Sequence, residues 1–373
     1  MTDKRLIQCE WHKASTGPLE TARIFDGLTQ PEGFVVERSR SEVAVKLPRD
    51  GRAEVLSVLR GAAKLDDPEY GVLRIKPGVH LYLPRGREVD LELAAGTEVV
   101  RVLECAEGKS SARGTELLVR NERYLSACAT DSQMLRWIFT PQYVSRRIFL
   151  HHDQALVSKN GDPVSWFHTT MFDVGGLPMN EEGEPVFKMS YNSRTEFNVL
   201  YDVAGDVRVR FAEHPYAEKG QLWRGWRTLD SESTYHLNEP REVQPLRNKH
   251  EVVAHNGHAS LFCVFDPAPT GIEKHQPGSY SDYEAFDVVS KRPDYAAQQA
   301  VIAAFDDMVQ RLSIAEAQGV LEQQLRTNVE VQRAHALFEQ GLKAQLALEA
   351  SLLEALKDDP KRQAILQPWR VKA

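Results

Sequence analysis

Residues 192 to 203 alternate with period two. Asn192, Arg194, Glu196 and Asn198 fall on one side of an extended segment, and Thr195, Phe197, Val199, Tyr201 and Val203 fall on the other. The first set can do chemistry. Arg194 offers a planar fork of donors suited to a carboxylate or phosphate. Glu196 is a candidate general acid or base and a candidate metal ligand, while Asn192 and Asn198 are binding groups and weak ligands. His250, at the head of HEVVAHNGHASLFCVF, is a second acid–base or ligand candidate. A divalent cation wants three or more such ligands, and the charge of Arg194 opposes one.

Other candidates carry less. His151 and His152 are adjacent on an extended segment, so only one can share a face with the row. His168 lies beside Trp166 and Phe167 and reads as core or edge. Trp223, Arg224, Trp226 and Arg227, within LWRGWRTL, could lid a barrel mouth or could pack. His236, His255 and His258 are expected near turns, and the chain has no H-x-x-E-H, H-E-x-x-H or phosphate-cradling glycine loop.

The elements that must hold these groups are strands. The stretch 78–103, GVHLYLPRGREVDLELAAGTEVVRVL, reads as strand, turn at Pro84-Arg85-Gly86, strand, turn at Ala95-Gly96, strand. Laid on itself, the chain repeats. Residues 250–265 have the shape of 89–103 at an offset of 161, and VLYDVAG at 199–205 repeats VLSVLRG at 55–61 at an offset of 144. The later copy therefore carries about 17 extra residues, expected within 211–240.

Gly78, Pro84 and Gly86 resemble the second signature of the cupin family, G-x5-P-x-G-x2-H-x3-N. Glu54 and Gly61 resemble the end of its first signature, glutamate-x6-glycine. In cupins the two signatures are antiparallel strand pairs of one small barrel, and their His, His, Glu and His side chains converge on a metal. The resemblance implies a mainly β chain of two cupin-type antiparallel, jelly-roll-like barrels followed by a C-terminal α-helical extension, a bicupin. In the first copy the last histidine position is Val89, and Leu47 and Arg49, or Pro48 and Asp50, stand at the first two. That copy is expected to lack the metal site and to have an apolar interior.

In the second copy His250 keeps the last position, Asn198 takes the glutamate position, and Asn192 and Arg194 take the first two. The resemblance then turns the polar row inward to meet His250. It implies catalysis by Glu196, His250 and Arg194, and substrate binding by Arg194, Asn192 and Asn198. His250 and Glu196 would ligate a divalent metal such as Fe(II), Mn(II) or Zn(II), if one is bound. With the alignment shifted by one residue, the row is a solvated face and His250 a structural histidine.

The expected organisation is an N-terminal segment (1–33), the first barrel (34–105), a linker (106–145), the second barrel (146–280) and the helical extension (293–360). The N-terminal segment is expected to give a short strand to the other barrel or to a partner subunit. One helix is expected from Pro293-Asp294 to about Leu312, and another from a capping box of Ser313 and Glu316. Leu321, Leu325, Leu346 and Leu353 belong to its apolar stripe, Gly341 is expected to interrupt it, and the tail or the barrel edges are expected to make a homo-oligomer.

Among 373 residues 27% are charged, with a net charge of −7, which argues against nucleic acid as a partner. No apolar run suits a membrane span, and the N-terminus has no signal-peptide pattern. Cys9, Cys105, Cys128 and Cys263 are scattered and read as reduced thiols of a cytoplasmic protein. Two functions fit: a bicupin oxygenase, isomerase or lyase acting on a small anionic metabolite, or a non-catalytic cupin binding or scaffold protein with a helical oligomerisation tail.

Overall fold

The computed structural model describes residues 5–15, 17–26, 34–104, 116–125, 127–129, 134–137, 149–154, 156–157, 163–164, 195–211, 225–237, 250–266 and 295–355. Alternating segments bounded by Gly, Pro and Asp fold as strands. These are β1 (Leu6–Gln8), β2 (His12–Lys13), β3 (Glu20–Asp26), β4 (Phe34–Ser41), β5 (Val45–Lys46), β6 (Glu54–Arg60) and β7 (Ala63–Asp67). There follow β8 (Gly71–Ile75), β9 (Val79–Leu83), β10 (Asp90–Leu93), β11 (Thr97–Glu104), β12 (Leu118–Asn121), β13 (Ala127–Ala129) and β14 (Met134–Trp137). Then come β15 (Phe149–Gln154), β16 (Leu156–Val157), β17 (Pro163–Val164), β18 (Thr195–Phe211), β19 (Arg227–Leu229), β20 (Ser233–Leu237) and β21 (His250–Asp266). Among the described residues three α-helices follow the strands: α1 (Tyr295–Gln318), α2 (Leu321–Thr327) and α3 (Val329–Ala355). The protein is mainly β, with antiparallel sheets and a C-terminal three-helix region.

One large sheet runs β12-β9-β6-β11-β4-β3-β2, and a smaller one runs β5-β10-β7-β8. Leu56, Leu81 and Val99 of the first meet Leu65, Leu73 and Leu91 of the second in one apolar cluster. The other large sheet runs β1-β20-β18-β21-β15-β14-β13, with β19 also on β18. Strand for strand the two large sheets have the same order. In the second, β1 from the N-terminal segment stands where β12 stands in the first. The N-terminal segment thus serves both sheets, since β3 pairs with β4 and β1 with β20.

The registers repeat as well. Leu65 pairs with Leu91 and Asp66 with Asp90. Adding 144 to the first member and 161 to the second gives Val209 with Val252 and Arg210 with Glu251, which are the pairs observed. By the same offsets His250 corresponds to Val89. Both copies turn on a left-handed glycine, Gly61 and Gly205. A Cβ on Gly61 would lie 2.7 Å from Thr97 Cα, so no other residue fits without a backbone shift.

The extra length is placed differently from expectation. Asn198 pairs with Tyr235 as Glu54 pairs with Leu83, and Val207 pairs with Leu229 as Ala63 pairs with Ile75. Residues 227–237 therefore repeat β8 and β9, and the added chain flanks them on both sides. Arg227 lies in a strand rather than a lid.

The helices also depart from the reading. Ser313 is interior to α1 and starts no helix; its Oγ accepts the Asn121 amide at 2.8 Å. The break comes at Gly319, whose φ of 76° ends the helix in the left-handed region. Gly341 lies within α3. Met308, Val309, Leu312, Val331 and Ala334 are buried against the first large sheet, with Leu321 and Leu325 packed on them, whereas Leu346 is exposed. Among the described residues no helix is long and apolar enough to cross a membrane.

Candidate functional site

Strand β18 has two buried faces. Phe197 and Val199 enter a cluster with Val36, Val55 and Val100 of the first large sheet. Alternation turns Asn198 and Leu200 to the opposite face, where both are fully buried. Tyr235, opposite Asn198, and Leu229, opposite Val207, share that face and are buried too.

The register slips between Leu200 and Asp202 and again between Ala204 and Asp206. Such bulges bend a strand, and here the bend folds β18 back on itself. The ring of Phe211 meets that of Tyr235 edge-on, 6.3 Å between centroids. Tyr235 is the neighbour of Asn198, and Phe211 is the neighbour of His250. The Asn198 end and the His250 end of this ladder are therefore joined by one ring pair. Arg5 places its guanidinium 4.3 Å over Phe211.

The expected site residues are distributed as follows. Glu196 lies in β18, paired with Phe265 and Leu237, two residues before Asn198. Asn192, Arg194, His168, Trp223 and Arg224 lie outside the described residues. His151 and His152 lie in β15, with His151 opposite Cys263. His236 is not at a turn but in β20, stacked on Phe197 at 5.5 Å in the seam between the large sheets. His255 and His258 lie in β21, opposite Asp206 and Ala204. Trp226 takes the Arg210 guanidinium at 4.6 Å.

The corresponding place in the first copy is charged, not purely apolar. Leu47 joins the inner cluster and Arg49 reaches Glu54, so Leu47 and Arg49, rather than Pro48 and Asp50, face inward. The Glu54 side chain is 1% exposed and accepts from Arg49 Nε on Oε1 and from Arg101 Nε on Oε2 at 2.8 Å. Arg101 Nη1 donates to Glu37 Oε1 at 2.9 Å, and Arg49 Nη1 donates to the Arg87 carbonyl at 2.8 Å. Arg87 in turn holds Asp67 through two bonds of 2.7 Å. Burial pushes the Asp67 carboxyl up, but Arg87 and the amides of Tyr70 and Glu69 outweigh it and leave it below the ordinary range.

A cation does not fit at Glu54, because two guanidiniums already hold its oxygens and Val89 offers no ligand. Among the described residues no group of three or more His, Cys, Asp and Glu is placed to hold a metal. Sequence reading missed this cluster because Glu37, Glu54 and Arg101 sit on three strands. The available signal was the cross-strand pairing of Glu37 with Arg101.

A second unforeseen constellation lies on the outer face of the same sheet. Ser57 Oγ is 2.6 Å from His80 Nδ1, and His80 Nε2 is 2.9 Å from Glu122 Oε1. The types match a nucleophile, base and acid. All three are buried, however, with Ser57 1% exposed. A buried imidazole needs a partner at both nitrogens, and this arrangement supplies them; it is a core pin.

No family model matches the chain, and no curated protein matches it. Solved structures do. The chain is similar to AerE from Microcystis aeruginosa, with a TM-score of 0.45 and 9% identity over 70% of this chain and 98% of that one. It is similar to a mutant of Bacillus subtilis oxalate decarboxylase OxdC, with a TM-score of 0.44 and 10% identity over 81% of this chain and 85% of that one. It is also similar to a glyoxylate-induced protein from Pseudomonas aeruginosa, with a TM-score of 0.44 and 13% identity over 72% and 86%.

Proposed function

We propose that the chain is a cupin-type protein of two barrels, 34–105 and 146–280 joined by 106–145, whose second barrel acts on a small anionic metabolite. Arg194, with Asn192 and Asn198, clamps the anion. Glu196 and His250 form the acid–base pair of an isomerase or lyase, or ligate a divalent metal such as Fe(II), Mn(II) or Zn(II) in an oxygenase. Such a metal, if bound, would polarise a substrate oxygen.

The observation that carries this reading is the contact of Tyr235 with Phe211 at 6.3 Å, which supports a meeting of the Asn198 and His250 ends. The repeat supports it further. In the first copy Arg49 joins Glu54 to the backbone at Arg87, two residues from Val89, and Glu54 and Val89 correspond to Asn198 and His250.

Elemental analysis of protein purified without chelators, with calorimetry against a panel of small carboxylates, tests the reading. Metal or carboxylate binding should be lost in Glu196→Gln and in His250→Ala while the circular dichroism is unchanged. Binding that survives both substitutions would reject the site.

A non-catalytic reading has one observation in its favour. The described neighbours of Asn198 on its face are Leu200, Val207, Val209, Phe211, Leu229 and Tyr235, all buried and largely apolar. Such a lining suits binding of a ligand with an apolar body, with homo-oligomerisation through the helical region or barrel edges. Tight binding without turnover of any ligand bound would favour it.

A further inference from the structure

Arg5 precedes β1 in the N-terminal segment, and it reaches the second copy. Its carbonyl accepts the His236 amide at 2.8 Å, which extends the pairing of β1 with β20. Its guanidinium carbon lies 4.3 Å from the centre of the Phe211 ring. Phe211 pairs with His250, and its ring meets Tyr235, the partner of Asn198. Arg5 therefore stands where the two ends of the candidate site are joined. A ring face attracts a cation through its quadrupole and takes up no N–H donor in doing so. The planar fork of donors is what a carboxylate accepts from.

The repeat shows what is particular to this place. Val55 with Tyr82 corresponds to Val199 with Thr234, so Leu118, paired with Tyr82, corresponds to Ile7, paired with Thr234. Leu118 and Ile7 also pack in the same seam cluster. Two residues back, Arg5 takes the position that Glu116 has in the first copy. The offset of 144 likewise gives Phe211 the position of Asp67. In the first copy both positions are acidic and lie about one residue, Tyr70. Asp67 Oδ1 accepts the Tyr70 amide at 3.0 Å, and burial, Glu69 and Glu116 push the Tyr70 phenol up to about 12. Arg87 meets this acidity by donating to both Asp67 and Glu69. In the second copy a ring replaces Asp67, and a guanidinium replaces Glu116.

We propose that Arg5 is an anion-binding residue of the second-barrel site, and that the ligand it selects is a carboxylate with a compact apolar body. The inference rests on the reading of that site given above and adds Arg5 to its clamp. The carboxylate meets the Arg5 fork and takes the part that protein carboxylates play in the first copy. Leu200, Phe211, Leu229 and Tyr235, all buried, offer the apolar body its surface. The N-terminal segment is then part of the site and not only a strand of its sheet.

The test is calorimetry on the full chain with two probes. Benzoate is a carboxylate on an apolar ring, and benzyl alcohol keeps the ring without the charge. In Arg5→Gln benzoate affinity should fall about tenfold or more, the loss of a charge-assisted pair. Benzyl alcohol affinity and circular dichroism should be unchanged. Arg5→Lys keeps the charge and should lose less. Unchanged benzoate affinity in Arg5→Gln would overturn the proposal, as would no benzoate binding by the unaltered chain. An equal loss for both probes would also overturn it, because Arg5 would then only support packing. Failure of the site reading looks different. Benzoate affinity lost in Arg5→Gln but kept in His250→Ala and Glu196→Gln would uphold Arg5 and reject the acid–base pair.

Discussion

Phe211 and Tyr235 meet edge-on at 6.3 Å although they lie on strands whose paired residues are far apart in the chain. Tyr235 pairs with Asn198, thirteen positions before Phe211 in the same strand. The contact therefore reports the fold-back of β18, and it should be what holds the two ends of the candidate site together. Phe211→Ala is expected to cost about 3 to 5 kcal/mol in urea unfolding, the usual loss for a buried aromatic. Phe211→Leu keeps more of the contact and should cost less. A Phe211→Ala protein as stable as the parent would mean that the ring pair does not hold the bend.

In the first copy the comparable hold is electrostatic. Glu54→Gln leaves Arg49 and Arg101 facing a neutral amide, and breaking a buried ion pair from one side costs about 3 to 5 kcal/mol. Replacing Glu54 by Leu and Arg49 by Met together should recover part of that loss, since Arg101 then keeps Glu37 and the Pro48 carbonyl. Equal stability for the single and double variants, measured by denaturant midpoint, would argue against a coupled cluster.

Asp67 sets an acid limit. Its carboxyl titrates below the ordinary value in the folded chain because its bonds from Arg87, Tyr70 and Glu69 outweigh burial. A depressed folded pKa gives stability that is complete above the unfolded value, about 3.9, and is lost as pH falls through the folded value. Melting temperature should therefore decline below about pH 4. In Asp67→Asn that part of the decline should be absent, with a lower melting temperature at neutral pH. An acid decline identical in both proteins would assign it to other carboxylates.

Ser57, His80 and Glu122 invite a hydrolase reading, and the geometry opposes it. The serine faces His80 Nδ1 inside the core and is 1% exposed, closed off from an acyl donor in solvent. The intact protein is expected not to react with a fluorophosphonate serine probe. His80→Ala should lower the melting temperature, because it leaves Glu122 buried without its imidazole. Labelling of Ser57 would reverse this assignment.

Much of this architecture could be read from the residues. Alternation and turn glycines are local signals, so the offsets of 144 and 161 could be found from Gly61, Gly205 and the runs beside them, and the pairs Leu65–Leu91 and Val209–Val252 follow those offsets. What escaped depends on partners distant in sequence. Glu37, Glu54 and Arg101 each look like ordinary strand charges until three strands bring them together. Ser313 looks like a helix cap because Glu316 follows it at the capping-box spacing, yet its hydroxyl serves β12. The placement of 227–237 beside β18 was hidden because the added chain on both sides broke the simple offset.

The sharpest expectation concerns His250. It corresponds by register to Val89, and its strand neighbour Phe211 touches the neighbour of Asn198. His250→Val would give the second copy the residue that the first already has. If His250 serves a ligand or metal, this change should abolish that binding, read by elemental analysis and calorimetry. It should leave the melting temperature unchanged or raise it, because an apolar side chain is easier to bury than an imidazole. Glu196→Gln should likewise remove binding and leave the melting temperature unchanged. If Glu196 instead pairs with Arg194 as a silent structural link, Glu196→Gln should lower the melting temperature while His250→Val leaves binding untouched. The two patterns are opposite in both readouts, so one pair of variants separates a working site from a structural one.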